Sequence, residues 1–475
     1  MYAVPQGREA KGDFHWRAEG RLWYTSRMKQ LAFLICAAGA CLASDVTFEF
    51  AADGEAPATA ALQAAVDKVS ASGGGTVRVP AGKYVVAGIC LKDNVTLRLD
   101  EGAVLLGATN HLDYAGRLLA VVSAVDASNV ALVGKGTVDG RGWAAPVRDG
   151  APHRWFGCIF RRCRGVRVEG VRLTAPAAWT CYFKECDGVV ARGVTIHGHA
   201  NFNNDGFDID SKNVLIEDCT VDSDDDAICL KSDNPDFVCE NVEVRNCRLS
   251  SNCNFIKFGT ASRGGFRNCH IHHCTLLASE TSRLRKWRGL PGVTDACTGL
   301  AGIALEMVDG GVMEKVHVHD ILMLHGVQTP ILVRLARRGA PKPGKTTYLR
   351  DVLIENVTSK TSASIIASSI TGVPGLRPQG VTLRNLDLTV KGGGRAADAV
   401  AKIPEVEKCY PENRMFGKPL PAYGFYVRHA DDVRFENVKL RWAGGDEERE
   451  PVVQDDCRGV TFTKCDFQPP VKAKR

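Results

Sequence analysis

Residues 203–258 read NNDGFDID SKNVLIEDCT VDSDDDAICL KSDNPDFVCE NVEVRNCRLS SNCNFIKF. Within them, Asp205-Gly206-Phe207-Asp208-Ile209 returns after 21 residues as Asp226-Ala227-Ile228-Cys229-Leu230, and 28 residues later as Asn254-Phe255-Ile256-Lys257-Phe258. Val214 to Val242 and Cys219 to Cys247 repeat the 28-residue step. On the N-terminal side, Trp179-Thr180-Cys181-Tyr182-Phe183 aligns with the first copy at an offset of 26. Each copy alternates apolar and polar residues, the pattern of a short strand with one buried face. Strand units that return every 20–50 residues or so mark a stacked repeat, because one unit cannot bury its apolar face alone.

The same pattern runs through most of the chain. A polar residue or glycine followed by valine occurs at Asn94, Asn129, Gly165, Gly188, Asn213, Asn241, Lys315, Asp351, Gly380, Asp432 and Gly459. Several neighbouring spacings are 23, 25, 28, 29, 35 or 36 residues. The expected fold is all-β, a single-stranded right-handed parallel β-helix; a β-sandwich would not give such regular returns. Ala60 to Val69 has helical spacing and is expected to cap the open N-terminal end, as terminal units of a solenoid must be capped. Segments 280–298, 336–346 and 391–424 break the period and read as long loops over one face, where binding residues tend to sit.

Length alone, 475 residues, would suggest about three domains, but the repeat makes 44–475 one domain. A net charge of +6 over this length is too weak to point to nucleic acid. No run of 18 apolar residues is present, so no spanning helix is expected. Leu31 to Ala43 has the length of a signal-peptide core behind Lys29, with Cys41-Leu42-Ala43 as a small-residue cleavage site. Residues 28–43 therefore read as a leader starting at Met28, residues 1–27 as an extension upstream of it, and the mature protein as secreted or periplasmic. The 18 cysteines, among them Cys163, Cys186, Cys219, Cys247 and Cys269, recur inside strand segments and read mainly as reduced core packing rather than a disulfide framework. None has zinc-like spacing.

If each offset is one turn of the helix, Trp179, Asp205, Asp226 and Asn254 stack on one face. Neighbouring strands lie about 4.8 Å apart, which brings Asp205 within a rung of Asp225 and Asp226. Crowded carboxylates repel, so at least one is expected to hold a proton near neutrality. Hydrolysis of a glycosidic bond requires such a mixture, a carboxylic acid to protonate the leaving oxygen and a carboxylate to activate water. A lone Asp before a strand would read instead as a backbone cap.

Asn203-Asn204-Asp205-Gly206-Phe207-Asp208 resembles the Asn-Thr-Asp-Gly-x-Asp motif of the polygalacturonases, glycoside hydrolase family 28. Asp224-Asp225-Asp226-Ala227-Ile228 is similar to that family's Gly-Asp-Asp-Cys-Ile. The resemblance implies a pectin-lyase-like β-helix that cleaves α-linked galacturonate with inversion and needs no cofactor or metal. By motif position, Asp225 would be the general acid, and Asp205 and Asp226 would hold and deprotonate the water. Two departures stand out. Asn254, in Cys253-Asn254-Phe255, replaces the histidine of the family's Gly-His-Gly, and Arg334-Leu335-Ala336 lacks the lysine of its Arg-Ile-Lys. Lys257 lies in the outward slot with Asp208 and Cys229 and is expected, with Arg334, to bind a uronate carboxylate; Arg337 is a further candidate.

Asn203, Asn254, Trp179 and Tyr423 complete the expected substrate-binding set. Trp179 could equally be packing, and Tyr426, near Tyr423, could equally be core. His197 and His199 read as structural, and the basic run at 281–288 as a solvated loop able to attract an anionic polymer. The expected partner is an acidic plant cell-wall polysaccharide or oligosaccharide, met by a monomer. Rhamnogalacturonan or a branched pectin is the rival substrate, a calcium-dependent lyase the rival reaction, and a decayed carbohydrate-binding β-helix the non-enzymatic reading.

Overall fold

The computed structural model describes residues 44–147, 152–279, 281, 299–360, 362 and 364–471. The leader read at 28–43, the segment 1–27, and the basic run within 280–298 (apart from Thr281) lie outside the described residues. The described residues form one compact unit, a right-handed parallel β-helix in which successive coils add strands to three sheets. The first sheet includes Gly82–Val86, Thr195–Gly198, Thr220–Ser223 and Arg248–Ser251. The second includes Phe156–Arg161, the start of Phe207–Glu217, Ile228–Ser232, Ile256–Ser262 and Val327–Leu335. The third includes Arg164–Glu169, the end of Phe207–Glu217, Cys239–Arg245, the start of Gly265–Leu277 and that of Val312–Met323.

The offsets read from the sequence are the strand register. Cys181 pairs with Phe207, Phe207 with Ile228, and Ile228 with Ile256. The recurring residue before valine has a backbone cause, since all eleven such positions, from Asn94 to Gly459, have positive φ between 53° and 78°. The chain turns there into the third sheet through the left-handed region, which Asn, Asp and Gly enter most readily. The asparagines also bond to one another along the stack. Asn241 Nδ2 donates to Asn213 Oδ1 at 3.0 Å, and Asn268 Nδ2 to Asn241 Oδ1 at 2.8 Å. The valine that follows faces inward, building a column of Val130, Val166, Val189, Val214, Val242, Cys269, Val316, Val352 and Val381.

The N-terminal helix α1 covers Thr59–Ala71 and buries Leu62, Val66 and Val69 against the first coil. Gln63 on it satisfies an otherwise open strand edge. Its amide donates to Cys90 O at 2.9 Å and accepts from Cys90 N at 2.8 Å, which blocks further strand pairing at that edge. The described cysteines are free thiols, most of them buried. Cys219, Cys247 and Cys274 follow one another up one column, each thiol turned to the carbonyl two residues before it. Cys269 stands apart from them, in the valine column.

Asn241→Val would force a β-branched residue to positive φ and cut two rungs of the ladder. Strain of this kind is worth about 1–3 kcal/mol, so the urea midpoint is expected to fall clearly, and by less in Asn241→Gly, which keeps the backbone freedom. Equal midpoints for the two variants and the parent would deny the ladder any part in stability.

Candidate active site

The acidic column arises where the chain turns into the second sheet. Thr180 N donates to Asp205 O at 3.0 Å, Gly206 N to Asp226 O at 2.8 Å, and Ala227 N to Asn254 O at 2.9 Å. Trp179, Asp205, Asp226 and Asn254 are thus brought to successive coils of one line. Gly206 permits the close stacking, because a Cβ there would lie 2.3 Å from Ala227 O and 2.5 Å from a Val221 methyl. Asn204, fully buried, fixes the preceding loop. Its Oδ1 accepts from Ala200 N and Asn201 N, and its Nδ2 donates to Pro176 O and Ala178 O.

One oxygen each of Asp205 and Asp226 lie within 4.8 Å of each other, and the same holds for Asp225 and Asp226. Two buried ammonium groups compensate this charge. Lys257 Nζ is 3.0 Å from Asp226 Oδ2 and 3.9 Å from Glu306. Lys231 Nζ is 3.1 Å from Asp208, 3.5 Å from Asp205, and 4.5 Å above the centre of the Trp179 ring. Asn254 adds two hydrogen bonds to Asp226 Oδ1, from its backbone N at 3.1 Å and from Nδ2 at 2.8 Å. Burial works against the Asp226 anion, but the charges of Lys257 and Lys231 and these hydrogen bonds outweigh it and hold the carboxyl below its usual value. Asp208 goes the other way, since burial and then the neighbouring Asp205 raise it well above the carboxylate range. Burial likewise pushes Glu306 up to about 7.

Asp225 is differently placed. It is 7% exposed, and its Oδ2 accepts from Asn203 Nδ2 at 3.3 Å. Arg154 in turn donates to Asn203 Oδ1 at 2.9 Å. The Asp225 backbone carbonyl is gripped by the hydroxyls of Ser223 and Ser251 at 2.8 and 2.6 Å. Asp205, Asp226 and Cys229, or Asp225, Asp226 and Cys253, would be near enough to share a cation, but the ammonium groups of Lys231 and Lys257 already bind the carboxylate oxygens of Asp205 and Asp226, and like charge opposes a metal there.

The remaining expected residues divide. Trp179 is half-buried outside the solenoid, its ring edge-on to Phe156 and Tyr182. Arg334 is 2% exposed. Its guanidinium donates to Thr371 Oγ1, Gly372 O, Glu405 O and Val406 O, which seats it beneath the 391–421 insertion. Arg337 pairs with Glu407 at 2.9 Å. Tyr423 lies in the main core with its hydroxyl donating to Gln468 O at 2.6 Å, and Tyr426 packs under the insertion against Ala367 and Phe416. Neither tyrosine is brought to the acidic column. His199 bonds Asp222 at 2.8 Å.

Lys231, Asp208, Glu306 and Tyr410 are the site residues that sequence reasoning missed. Lys231 is two residues beyond Cys229, and extending the repeat alignment by one outward slot would have found it. Tyr410 has no local signal; its hydroxyl comes to 3.1 Å from Lys257 Nζ across 153 residues of sequence. The guanidinium of Arg338 sits 5.7 Å from the Tyr410 ring centre and lines a cavity of about 500 Å³ together with Arg263 and Lys342.

The profile of the glycosyl hydrolases family 28 matches residues 70–289, the part of the chain that holds the acidic column, Asp225 and Lys257. The resemblance read from the two motifs therefore holds over that segment. A probable polygalacturonase of Vitis vinifera is 28% identical over 216 residues, covering 40% of this chain and 44% of that protein. The exo-poly-alpha-D-galacturonosidase of Dickeya chrysanthemi is 34% identical over 110 residues, 19% of this chain and 18% of the relative. The chain thus spans less than half the length of these relatives. The crystal structure of a hyperthermoactive exopolygalacturonase from Thermotoga maritima superposes with a TM-score of 0.63 at 18% identity, over 88% of this chain and 96% of that one. At that identity it establishes the shared right-handed β-helix.

Glu306 offers a test of the buried charge network. Its folded-state value of about 7 lies above the unfolded one near 4.5, so its contribution to stability is full below about pH 4.5 and is lost as pH rises through 7. Glu306→Gln is expected to gain stability relative to the parent across that window and to stay level above it, as read from urea unfolding at a series of pH values. A difference that does not vary with pH would remove Glu306 from the network.

Proposed function

We propose that this chain is a secreted inverting glycoside hydrolase that cleaves α-glycosidic bonds of galacturonate-containing pectic polysaccharide or oligosaccharide. The observation that carries the reading is the gathering of Asp205, Asp225 and Asp226, on two adjacent coils, into one group flanked by the ammonium groups of Lys231 and Lys257. Inversion requires an acid on one side of the scissile bond and a carboxylate-activated water on the other. Asp226, kept ionised by Lys257 and Asn254, and Asp205, one coil away, are suited to hold and deprotonate the water. Asp225 has a separate environment beside Asn203 and Arg154, and is assigned the proton that goes to the leaving oxygen. Asn254, in the position of the family's histidine, acts in this scheme on the base side by bonding Asp226. Lys257 and Arg263 supply positive charge for a uronate carboxylate, and Trp179 a face for a sugar ring, whereas Arg338 and Lys342 are paired with Asp309 and Asp236.

The insertion supports a proposed mode of attack. Residues 391–421 wall one side of the column, and Tyr410 reaches Lys257 from them. A cleft closed on one side suits a chain end, so exo-attack is the proposed mode, in keeping with the exo-acting Dickeya relative. The leader at 28–43 and a monomeric, extracytoplasmic enzyme belong to the same proposal. Rhamnogalacturonan is the second candidate backbone, because Arg334 is held beneath the insertion instead of facing the cleft.

The test is release of reducing ends, in chelator, from polygalacturonate and from rhamnogalacturonan oligosaccharides. Activity is expected to survive chelator and to drop by about 10²–10⁴-fold in Asp225→Asn. Activity unaffected by Asp225→Asn would overturn the mechanism, and an ultraviolet-absorbing product would mean elimination instead of hydrolysis. Tight binding without release from either polymer would favour a carbohydrate-binding module.

Lys257→Gln provides a second check. Losing the ammonium raises the Asp226 carboxyl, so the acid limb of the kcat/KM profile is expected to move to higher pH. An unmoved limb would take Asp226 out of the base role.

A further inference from the structure

The third sheet carries a group of imidazoles that the hydrolytic reading does not use. His270 pairs in register with His317, and His272 with His319, on two adjacent parallel strands. Residues two apart on a strand share a face, so four side chains make a two-by-two grid, with His273 beside it. Ring centres within the grid lie 4.3–5.1 Å apart. One ring nitrogen from each of His270, His317 and His319 falls within 4.8 Å of the others. Glu243 stands 3.2 Å from His272 Nε2, and Glu355 3.4 Å from His317 Nε2.

We infer that His270, His317 and His319 form a binding site for a divalent transition-metal ion of the zinc, nickel or copper type. Three imidazoles with an open fourth position suit such ions. Bonds of about 2.0–2.1 Å in a tetrahedron need nitrogens about 3.3 Å apart, a spacing that small side-chain rotations reach from here. The hydrogen bonding around His319 directs it toward a metal. Asp320 Oδ2 lies 2.6 Å from His319 Nδ1, which fixes the proton on that nitrogen and turns the Nε2 lone pair outward. This is the carboxylate–histidine arrangement that orients metal ligands. That Nε2 faces His270 Nε2 at 2.6 Å, so His270 must supply the proton between them. A bound ion takes the place of that proton, which shifts to His270 Nδ1, so the imidazole stays neutral while its Nε2 offers a lone pair.

The ion would join two successive coils on a sheet other than the one that carries the acidic column, so its occupancy is separable from catalysis. His197, His199 and Asp222 are a second close group, but His199 is committed to Asp222 and Ser279 through hydrogen bonds.

The test uses the full chain without an oligohistidine tag, stripped with chelator and titrated calorimetrically with Zn²⁺, then with Co²⁺ followed by its visible absorption. One ion per chain is expected, with a higher Tm in its presence. His270→Ala and His317→Ala should each abolish the Tm shift and the tetrahedral Co²⁺ spectrum. Asp320→Asn, a mild change at the margin of the site, should weaken binding by about 10–100-fold. His199→Ala should leave binding unchanged. Absence of binding at micromolar Zn²⁺, binding that survives both histidine substitutions, or binding lost on alkylating the cysteines would overturn the site. If the alanine variants do not fold, an unaltered affinity in Asp320→Asn overturns it equally.

Discussion

Parallel strands in register are separated by about 4.8 Å, and in a β-helix that spacing is imposed on every side chain as well as on the backbone. Whatever occupies a slot in one coil is held against its equivalent in the next. Valines in such a column fill the core, asparagines bond in series, and thiols lie sulfur to sulfur. When the slot holds carboxylates, the same geometry creates repulsion that the fold must offset, and when it holds imidazoles it creates a set of converging lone pairs.

The acidic column shows how the offset is achieved. Two lysines are buried almost completely, which is unfavourable for an isolated ammonium, yet Lys231 lies against Asp205 and Asp208 of the preceding coil, and Lys257 against Asp226 and Glu306 of the two coils that flank its own. Burial lowers the affinity of Lys231 and Lys257 for a proton, but the surrounding acids more than restore it. The result is a divided set of acids. Asp226 is held ionised, Asp208 is driven toward the neutral form, and Asp225 is set apart by Asn203. Two adjacent aspartates in the sequence therefore meet different environments because one faces along the sheet and the other toward the preceding loop.

The sequence made the fold legible because the repeat is a backbone property. Offsets of 21, 26 and 28 residues are the observed register, and the Asn-Val phrase marks a left-handed turn that few residues tolerate. The column of Trp179, Asp205, Asp226 and Asn254 followed from the same offsets. Contacts made by the insertion were not legible, since no periodicity governs them. Arg334 was expected to meet substrate and instead anchors residues 405 and 406. Tyr423 was expected near the cleft and lies in the core, because its position in the strand alternation points it inward. Tyr410 enters the site from an irregular segment with no repeat to place it. The histidine grid was in plain view as His-Ile-His-His and His-Val-His, but only a known register shows that the two runs are neighbours.

The sulfur column of Cys219, Cys247 and Cys274 has a bearing on how the chain reaches its native state. Neighbouring coils hold these residues at a separation within the range that a disulfide spans, while their thiols are sealed from solvent once the coils have closed. An oxidising compartment would therefore act on them only during maturation. In such a compartment coil closure and thiol oxidation would compete, and a chain that closes first would be protected by its own packing. Slower closure would trap cross-links between coils or between chains. The thiols would there make the yield of native protein depend on the ratio of two rates, a kinetic property that the stability of the finished solenoid does not express.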